Sequence, residues 1–340
     1  MTPIVYICLY LFFAIFAWAI TGLVRRYAVN RLILDYPNQR SLHNVPVPRG
    51  GGLSIALSQF LVLTILSYYT LLPYNIMLAM GGGGLIVVAI AWLDDVRGIA
   101  ILWRMFFYLI AAIWSCFCVM GFLGQSVPFL VMHYLFWILA ITWTINLYNF
   151  MDGSDGLAAI QAIFAAGIAG ILLLNAGQSS LGFIMLTLAA ASSGFIVWNW
   201  PPARIFMGDI GSCFIGFIFG LAGLITYANN SLSPSVWLIL LAIFIVDSTL
   251  TLFKRIFRQE RWYMAHKSHA YQLVIQSGIS HKQLVLSILV VYLLVLMPLS
   301  LLAFRYNAYK WEIAETTYTI IITLWLYIHY KLDTRLTKHT

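Results

Sequence analysis

Charge is what this sequence has least of. Only 9% of its 340 residues are Asp, Glu, Lys or Arg, against roughly 25% in soluble domains. That scarcity excludes an ordinary soluble fold, which needs a charged and polar surface. Cysteine is also sparse. The four present (Cys8, Cys116, Cys118 and Cys213) lie in apolar stretches and read as packed thiols rather than ligands or disulfides. Cys116 and Cys118, two apart on an expected helix, would point different ways. There is no internal repeat and no hydrophilic stretch long enough for a separate soluble domain. A single domain over 1–340 is expected.

What remains is apolar: 62% of the chain is hydrophobic. A spanning helix needs roughly 20 such residues, so about ten or eleven spans fit this length. Eleven can be read, near 4–24, 51–72, 76–93, 100–120, 128–147, 157–176, 181–198, 212–229, 236–253, 284–304 and 315–331. The first lacks a basic leader and a small-residue cleavage site, so it reads as a retained helix rather than a signal peptide. The expected fold class is all-α, a polytopic transmembrane helical bundle.

The net charge of +8 could suggest nucleic acid, but the basic residues flank apolar segments. Their placement points to topology and anionic lipid head groups instead, and no nucleic-acid partner is expected. With the N-terminus outside, 17 of the 19 Lys and Arg fall at inside faces, and only Arg305 and Lys310 fall outside. The C-terminal tail is then cytoplasmic. Inside connections fall at about 25–50, 94–99, 146–157, 199–212 and 254–283.

The acids collect on the same face. Asp94, Asp95, Asp152, Asp155 and Asp209 lie where helices meet the inside, and Asp247 lies in the inner half of the ninth span; the outside loops hold Glu312 and Glu315. Ionisable groups beside spans are costly unless paired or solvated, and so point to function. Carboxylates from three connections on one rim imply convergence on a cation or a polyphosphate.

Five segments carry the chemistry. Ser41-Leu42-His43-Asn44-Val45-Pro46-Val47-Pro48-Arg49-Gly50-Gly51-Gly52 brings a stiff approach to a glycine-rich helix entrance; its backbone N–H groups either approach a ligand or simply pack. Asp94-Asp95-Val96-Arg97-Gly98 holds adjacent carboxylates, which need a metal or basic partners to stay charged together; the plainer alternative is a solvated helix end countered by Arg97. Asn146-Leu147-Tyr148-Asn149-Phe150-Met151-Asp152-Gly153-Ser154-Asp155-Gly156-Leu157 is dense in oxygen donors suited to Mg²⁺. Arg204-Ile205-Phe206-Met207-Gly208-Asp209-Ile210-Gly211-Ser212 sets a carboxylate and a hydroxyl at a helix start, where anions are favoured. His266-Lys267-Ser268-His269-Ala270-Tyr271-Gln272 puts two histidines on one face if helical; with Lys267, Arg258 and Arg261 it suits a phosphate clamp better than a metal site. Asp247 either shapes the cleft floor or pairs with Lys254 or Arg255. The glycines at 81–84 read as helix packing, and the many Trp and Tyr as interfacial anchors.

In this order and on this face, the segments resemble the polyprenyl-phosphate N-acetylhexosamine-1-phosphate transferase superfamily, which includes phospho-MurNAc-pentapeptide translocase and the initiators of O-antigen and enterobacterial common antigen. The resemblance covers nearly the whole chain. It implies transfer of a sugar 1-phosphate from a UDP-N-acetylhexosamine to undecaprenyl phosphate, with release of UMP, in a bacterial inner membrane. It implies Mg²⁺ as cofactor, with Mn²⁺ as a substitute, and it admits a homodimer among membrane lipids. Carried over by motif, Asp94 and Asp95 would be the catalytic pair beside the lipid phosphate, and Asn149 and Asp209 would hold the metal and pyrophosphate. Asp152 and Asp155 would bind the nucleotide side, and His266, Lys267 and His269 the pyrophosphate and sugar. Asn146, Arg49, Ser212 and Asp247 complete the implied substrate-binding set. The His-Lys-Ser-His run departs from the His-rich run of the pentapeptide translocase, which disfavours a peptidoglycan donor and favours the O-antigen or capsular branch.

The implied chemistry is in-line attack by a lipid-phosphate oxygen on the β-phosphorus of the donor. A phosphate monoester has a second pKa of roughly 6, so the nucleophile is largely ionised and positioning outweighs general-base help. A phospho-aspartate intermediate is the alternative route. Two other classes compete: a secondary transporter, which would carry its acids near the midplane, and a Mg²⁺-dependent membrane prenyltransferase, which leaves the His-Lys-Ser-His and Gly-Asp-x-Gly-Ser segments unexplained.

Overall fold

The computed structural model of the chain describes residues 3–37, 42, 45–121, 127–261 and 266–336. Ser41, His43 and Asn44 of the first segment, and Arg40 and Lys338 of the basic set, lie outside these. The described chain is helical almost throughout. It runs α1 (Pro3–Asn30), β1 (Leu34–Asp35), β2 (Val47–Pro48), α2 (Leu53–Tyr68), α3 (Tyr74–Arg97), α4 (Ile101–Met120), α5 (Val127–Met151), α6 (Leu157–Asn175) and α7 (Ser179–Asn199). There follow α8 (Gly208–Ala228), α9 (Pro234–Leu240), α10 (Ala242–Phe257), α11 (Ala270–Gln276), α12 (His281–Val291), a π-helical turn at Tyr292–Leu296, α13 (Met297–Arg305) and α14 (Lys310–Leu336).

Each of the eleven expected spans falls on helix, but they are not equivalent. Among the described residues, eight helical stretches are long and apolar enough to cross a membrane, and a ninth arises if α9 and α10, bent by 78°, count as one broken span. Of the other two, α2 has 16 residues and α14 carries charged residues near both ends. The protein is an integral membrane helical bundle. Its outer surface carries exposed Leu102, Leu139, Val197 and Leu294, a distribution stable against lipid and not against water.

At the centre stands α8. Phe214, Phe217, Ile218 and Leu221 on it are fully buried, and it packs against α3, α4 and α5. Small residues allow the closeness, as expected where lipid competes equally for apolar faces. A Cβ at Gly216 would lie 2.4 Å from the Thr144 carbonyl of α5, and one at Gly83 2.6 Å from the Phe217 ring. The expected packing role of the 81–84 glycines holds for Gly82, Gly83 and Gly84; Gly81 meets nothing. Cys116 and Cys213 are buried thiols, Cys118 is half-buried and Cys8 is exposed, all unbridged.

Two local features add to the expected pattern of spans, a ribbon within the 25–50 connection and a break within the tenth span. Leu34–Asp35 pairs antiparallel with Val47–Pro48, in the register Leu34 to Pro48. Pro48 has no N–H to give the ladder, and its carbonyl accepts the Phe206 N–H at 2.8 Å. The π turn at Tyr292–Leu296 precedes Pro298, which removes a ladder donor and disturbs the turn before it.

Candidate active site

The rim site is assembled where the C-terminal ends of α3 and α5 meet the N-terminal ends of α4 and α8. Its first contact is between two backbones: Gly51 N–H donates to the Phe206 carbonyl at 3.0 Å and Gly52 N–H to Met207 at 2.9 Å. A Cβ on Gly52 would come within 2.2 Å of Gly211 Cα. Of the two uses open to the triple glycine, packing is the one observed for Gly51 and Gly52. Their N–H groups are spent on the Phe206–Met207 turn rather than turned toward a ligand.

This junction sets the register of Asp95. Its carboxylate receives Asp209 N–H and Ile210 N–H, both at 3.3 Å, and so caps the positive end of α8. Arg49 donates to the Asp95 carbonyl and holds Nη1 3.9 Å from its carboxylate. Asp95 is 5% exposed. Asp94 faces the other way. It accepts Ile99 N–H at 2.5 Å and Arg104 Nη1 at 2.5 Å. Of the expected metal or basic partners, basic ones are found on the pair, Arg49 and Arg104, rather than the Arg97 of the plainer alternative.

Arg104 is the residue that sequence reasoning missed. Its Nη1 lies 2.8 Å from Asp209 Oδ2 as well as against Asp94, so one guanidinium nitrogen joins α3 to α8. Asn149 completes the cluster from α5: its Nδ2 donates to Asp209 Oδ1 at 2.9 Å and to Ser212 Oγ at 3.2 Å. Asn146, one turn earlier, turns its amide to the Thr142 carbonyl at 2.7 Å. Beneath the cluster Tyr108 donates to Cys213 Sγ at 3.2 Å, one turn along from Arg104 and Asp209 respectively.

The donor-rich loop after α5 divides its work. Asp155 accepts Ala203 N–H at 3.0 Å and lies 3.7 Å from His281 Nδ1. His281 Nδ1 also receives Asp155 N–H at 3.2 Å, a contact unmarked in the sequence because 126 positions separate the two. The Gly156 N–H goes to Asn199 Oδ1 at 2.9 Å. Asp152 is different: among the described residues its carboxylate has no hydrogen-bond or ion-pair partner. Burial, then the charges of Asp209, Asp95 and Asp155, push its pKa well above the usual carboxylate range. Such a group calls for a cation.

The histidine segment is held on a separate support. It is not helical as far as His269, which is extended at the N-cap of α11; the two rings nevertheless approach, their centroids 4.9 Å apart. Asp247 neither pairs with Arg255, which takes Glu260 at 2.7 Å, nor opens to the cleft. It is 4% exposed, accepts Ala270 N–H at 2.8 Å and Tyr271 N–H at 3.4 Å, and lies 3.6 Å from His269 Nδ1. Tyr271 in turn donates to the Phe150 carbonyl at 3.1 Å, tying α11 to the loop of Asp152. Burial, with His269 and Arg255 beside it, lowers the His266 pKa to about 3. His266 is therefore neutral near pH 7.

No group of three or more His, Cys, Asp or Glu forms a ready metal cage among the described residues. Mg²⁺ does not require one, since it usually binds one or two protein carboxylates and takes its other ligands from water and phosphate. The hard oxygen donors fit that demand: Asp209, the side-chain Oδ1 of Asn149, which accepts no hydrogen bond among the described residues, and Asp152, whose carboxylate has no partner among them.

Residues 76–227 match the family described as glycosyl transferase family 4. Over 287 residues the chain is 31% identical to a probable undecaprenyl-phosphate N-acetylglucosaminyl 1-phosphate transferase of Bacillus subtilis, covering 81% of this chain and 78% of that one. It is 30% identical over 313 residues to a decaprenyl-phosphate N-acetylglucosaminephosphotransferase of Mycolicibacterium smegmatis, covering 81% and 76%. A phospho-N-acetylmuramoyl-pentapeptide-transferase of Chlamydia muridarum is 31% identical over 217 residues, covering 54% and 62%. A membrane bundle with this aspartate-rich rim and these relatives is a glycosyl-1-phosphate transferase. The chain belongs to glycosyl transferase family 4.

Proposed function

We propose that the protein transfers an N-acetylated hexosamine 1-phosphate from a UDP-sugar to undecaprenyl phosphate, releasing UMP, as the first step of an O-antigen or related envelope polysaccharide. The observation that carries this reading is the cluster of Asp94, Asp209 and Asn149 from three helices, in which Arg104 joins Asp94 to Asp209 and Asn149 donates to Asp209. The bundle spans the inner membrane eleven times with its N-terminus outside, so the rim faces the cytoplasm, where UDP-sugars are made. The basic residues support that orientation, with 17 of 19 on one side.

Both reactants are anionic, and the site's task is to bring negative charge together. Mg²⁺, or Mn²⁺ in its place, would be held by Asp209 and Asn149 and would draw charge from the donor pyrophosphate. Arg104 contributes a fixed positive charge between Asp94 of α3 and Asp209 of α8. Asp95 keeps the N-terminus of α8 in register, and Asp94, on the Arg104 side, orients the lipid phosphate. Lys267 and the Nε2–H of His266 meet the pyrophosphate and sugar. The β-phosphorus then passes to the lipid oxygen as the bond to UMP breaks, and no proton is needed from an ionised acceptor.

The test is direct. Purified protein, undecaprenyl phosphate, Mg²⁺ and a panel of UDP-N-acetylhexosamines should release UMP only with donor and acceptor together. No UMP from any donor sinks the reading. Radiolabelled phospho-sugar trapped on the protein without lipid acceptor would refute direct attack in favour of an aspartyl intermediate.

A further inference from the structure

The histidine segment is supported from behind by α14, a helix to which no part of the chemistry has been assigned. Two contacts make the support. Trp325 Nε1–H donates to Asp247 Oδ1 at 3.1 Å, the same carboxylate that caps α11 through Ala270 N–H. One turn further, His329 Nε2 lies 3.2 Å from the Ser268 carbonyl. A carbonyl only accepts, so in this contact Nε2 is the donor; Nδ1 faces the Trp325 carbonyl of its own helix at 3.1 Å. The Trp325 and His329 rings lie against each other, tilted by 31° with centroids 3.8 Å apart, and both are nearly fully buried, at 8% and 6% exposed.

From these contacts two short paths reach the loop. The first runs from Trp325 through Asp247 to His269, whose Nδ1 is buried without a hydrogen bond and 3.6 Å from the same Oδ1. The second runs from His329 to Ser268, whose N–H reaches His266 Nδ1 at 3.4 Å and whose Oγ lies 2.9 Å from it. Since Ser268 N–H donates, His266 Nδ1 accepts and its proton sits on Nε2. The orientation and tautomer of His266, and the place of His269, are thus set by one turn of α14. Asp247 also accepts Thr251 Oγ1 at 3.1 Å, so the carboxylate is saturated by donors from α10, α11 and α14 and has little freedom to shift.

The geometry points to Trp325 and His329 as positioning residues for the donor-sugar side of the site, acting through Asp247 and Ser268 on the His266–His269 segment. This rests on the proposed UDP-sugar reading. Neither side chain touches the Asp94–Arg104–Asp209 cluster, so their loss should fall on donor binding and spare the lipid acceptor.

Steady-state UMP release by the full-length protein tests this with Trp325→Phe, His329→Leu and His329→Gln. Trp325→Phe keeps the ring and deletes the donor to a carboxylate, and should raise the KM for the UDP-sugar about tenfold, as for loss of a charge-assisted hydrogen bond. His329→Leu should do the same, with the KM for undecaprenyl phosphate unchanged. His329→Gln can place an amide N–H where Nε2 stood and should restore the donor KM to within about twofold of wild type. An unchanged donor KM in both deletions overturns the inference. So does an equal loss toward both substrates that His329→Gln does not relieve, since that marks a general weakening of the fold. If wild type uses no UDP-sugar, the donor reading itself falls and this inference with it; if wild type is active and the variants match it, only this inference falls.

Discussion

Arg104 reaches Asp209 across 105 positions of sequence, with Nη1 2.8 Å from Oδ2, while the same nitrogen holds Asp94. One guanidinium thus fixes the spacing of two acids on neighbouring helices. Arg104→Ala should lower kcat/KM on the order of 100-fold, the scale for losing a preorganised charge at a reacting phosphate. Arg104→Lys should recover part of this, because an ammonium keeps the charge but not the fork. UMP release over a range of both substrates checks the outcome, and equal activity of Arg104→Ala and wild type would refute the role.

Chelation offers a second check. Turnover should vanish with EDTA and return with Mg²⁺ or Mn²⁺. Asp209→Ala should abolish the metal-dependent rate at any Mg²⁺ concentration, and Asn149→Ala should shift the Mg²⁺ half-saturation upward several-fold. Full activity of Asp209→Ala would remove its assignment as a ligand.

The α2–α8 contact predicts a stability effect separable from chemistry. Gly52→Ala drives a Cβ to 2.2 Å from Gly211 Cα, an overpacking that costs roughly 1–3 kcal/mol. The denaturation midpoint in detergent should fall by several degrees. Gly81→Ala, with nothing within 4 Å, should stay within about 0.5 kcal/mol of wild type.

His266 gives a pH prediction of definite sign. Its pKa is held to about 3 in the folded chain, against roughly 6.5 when unfolded. Between those values the unfolded chain takes a proton that the native one refuses, so stability falls as pH drops through that window. His266→Asn should show a shallower decline in denaturation midpoint from pH 6.5 toward 4 than wild type; superimposable curves would count against the burial of a neutral ring.

Much of the rim was legible before any coordinates. Asp94, Asn149 and Asp209 stand at the ends of apolar runs, where a buried acid has few bland explanations, and they do converge. Arg104 did not announce itself, because a basic residue beginning an inside helix is what topology alone requires. His281, Trp325 and His329 were hidden for another reason: their partners lie 126, 78 and 61 positions away, and only packing brings them together. The break between α9 and α10 carries no proline or glycine at Leu241 to mark it. The Leu34–Pro48 ribbon is too short for any alternation to appear.

The bare junction of Gly52 with Gly211 also has a mechanical meaning. Two helix entrances riveted backbone to backbone have no side-chain cushion between them, and cannot part slightly and close again as a loop does. Any movement at this rim must therefore carry the starts of α2 and α8 together, as one stiff piece.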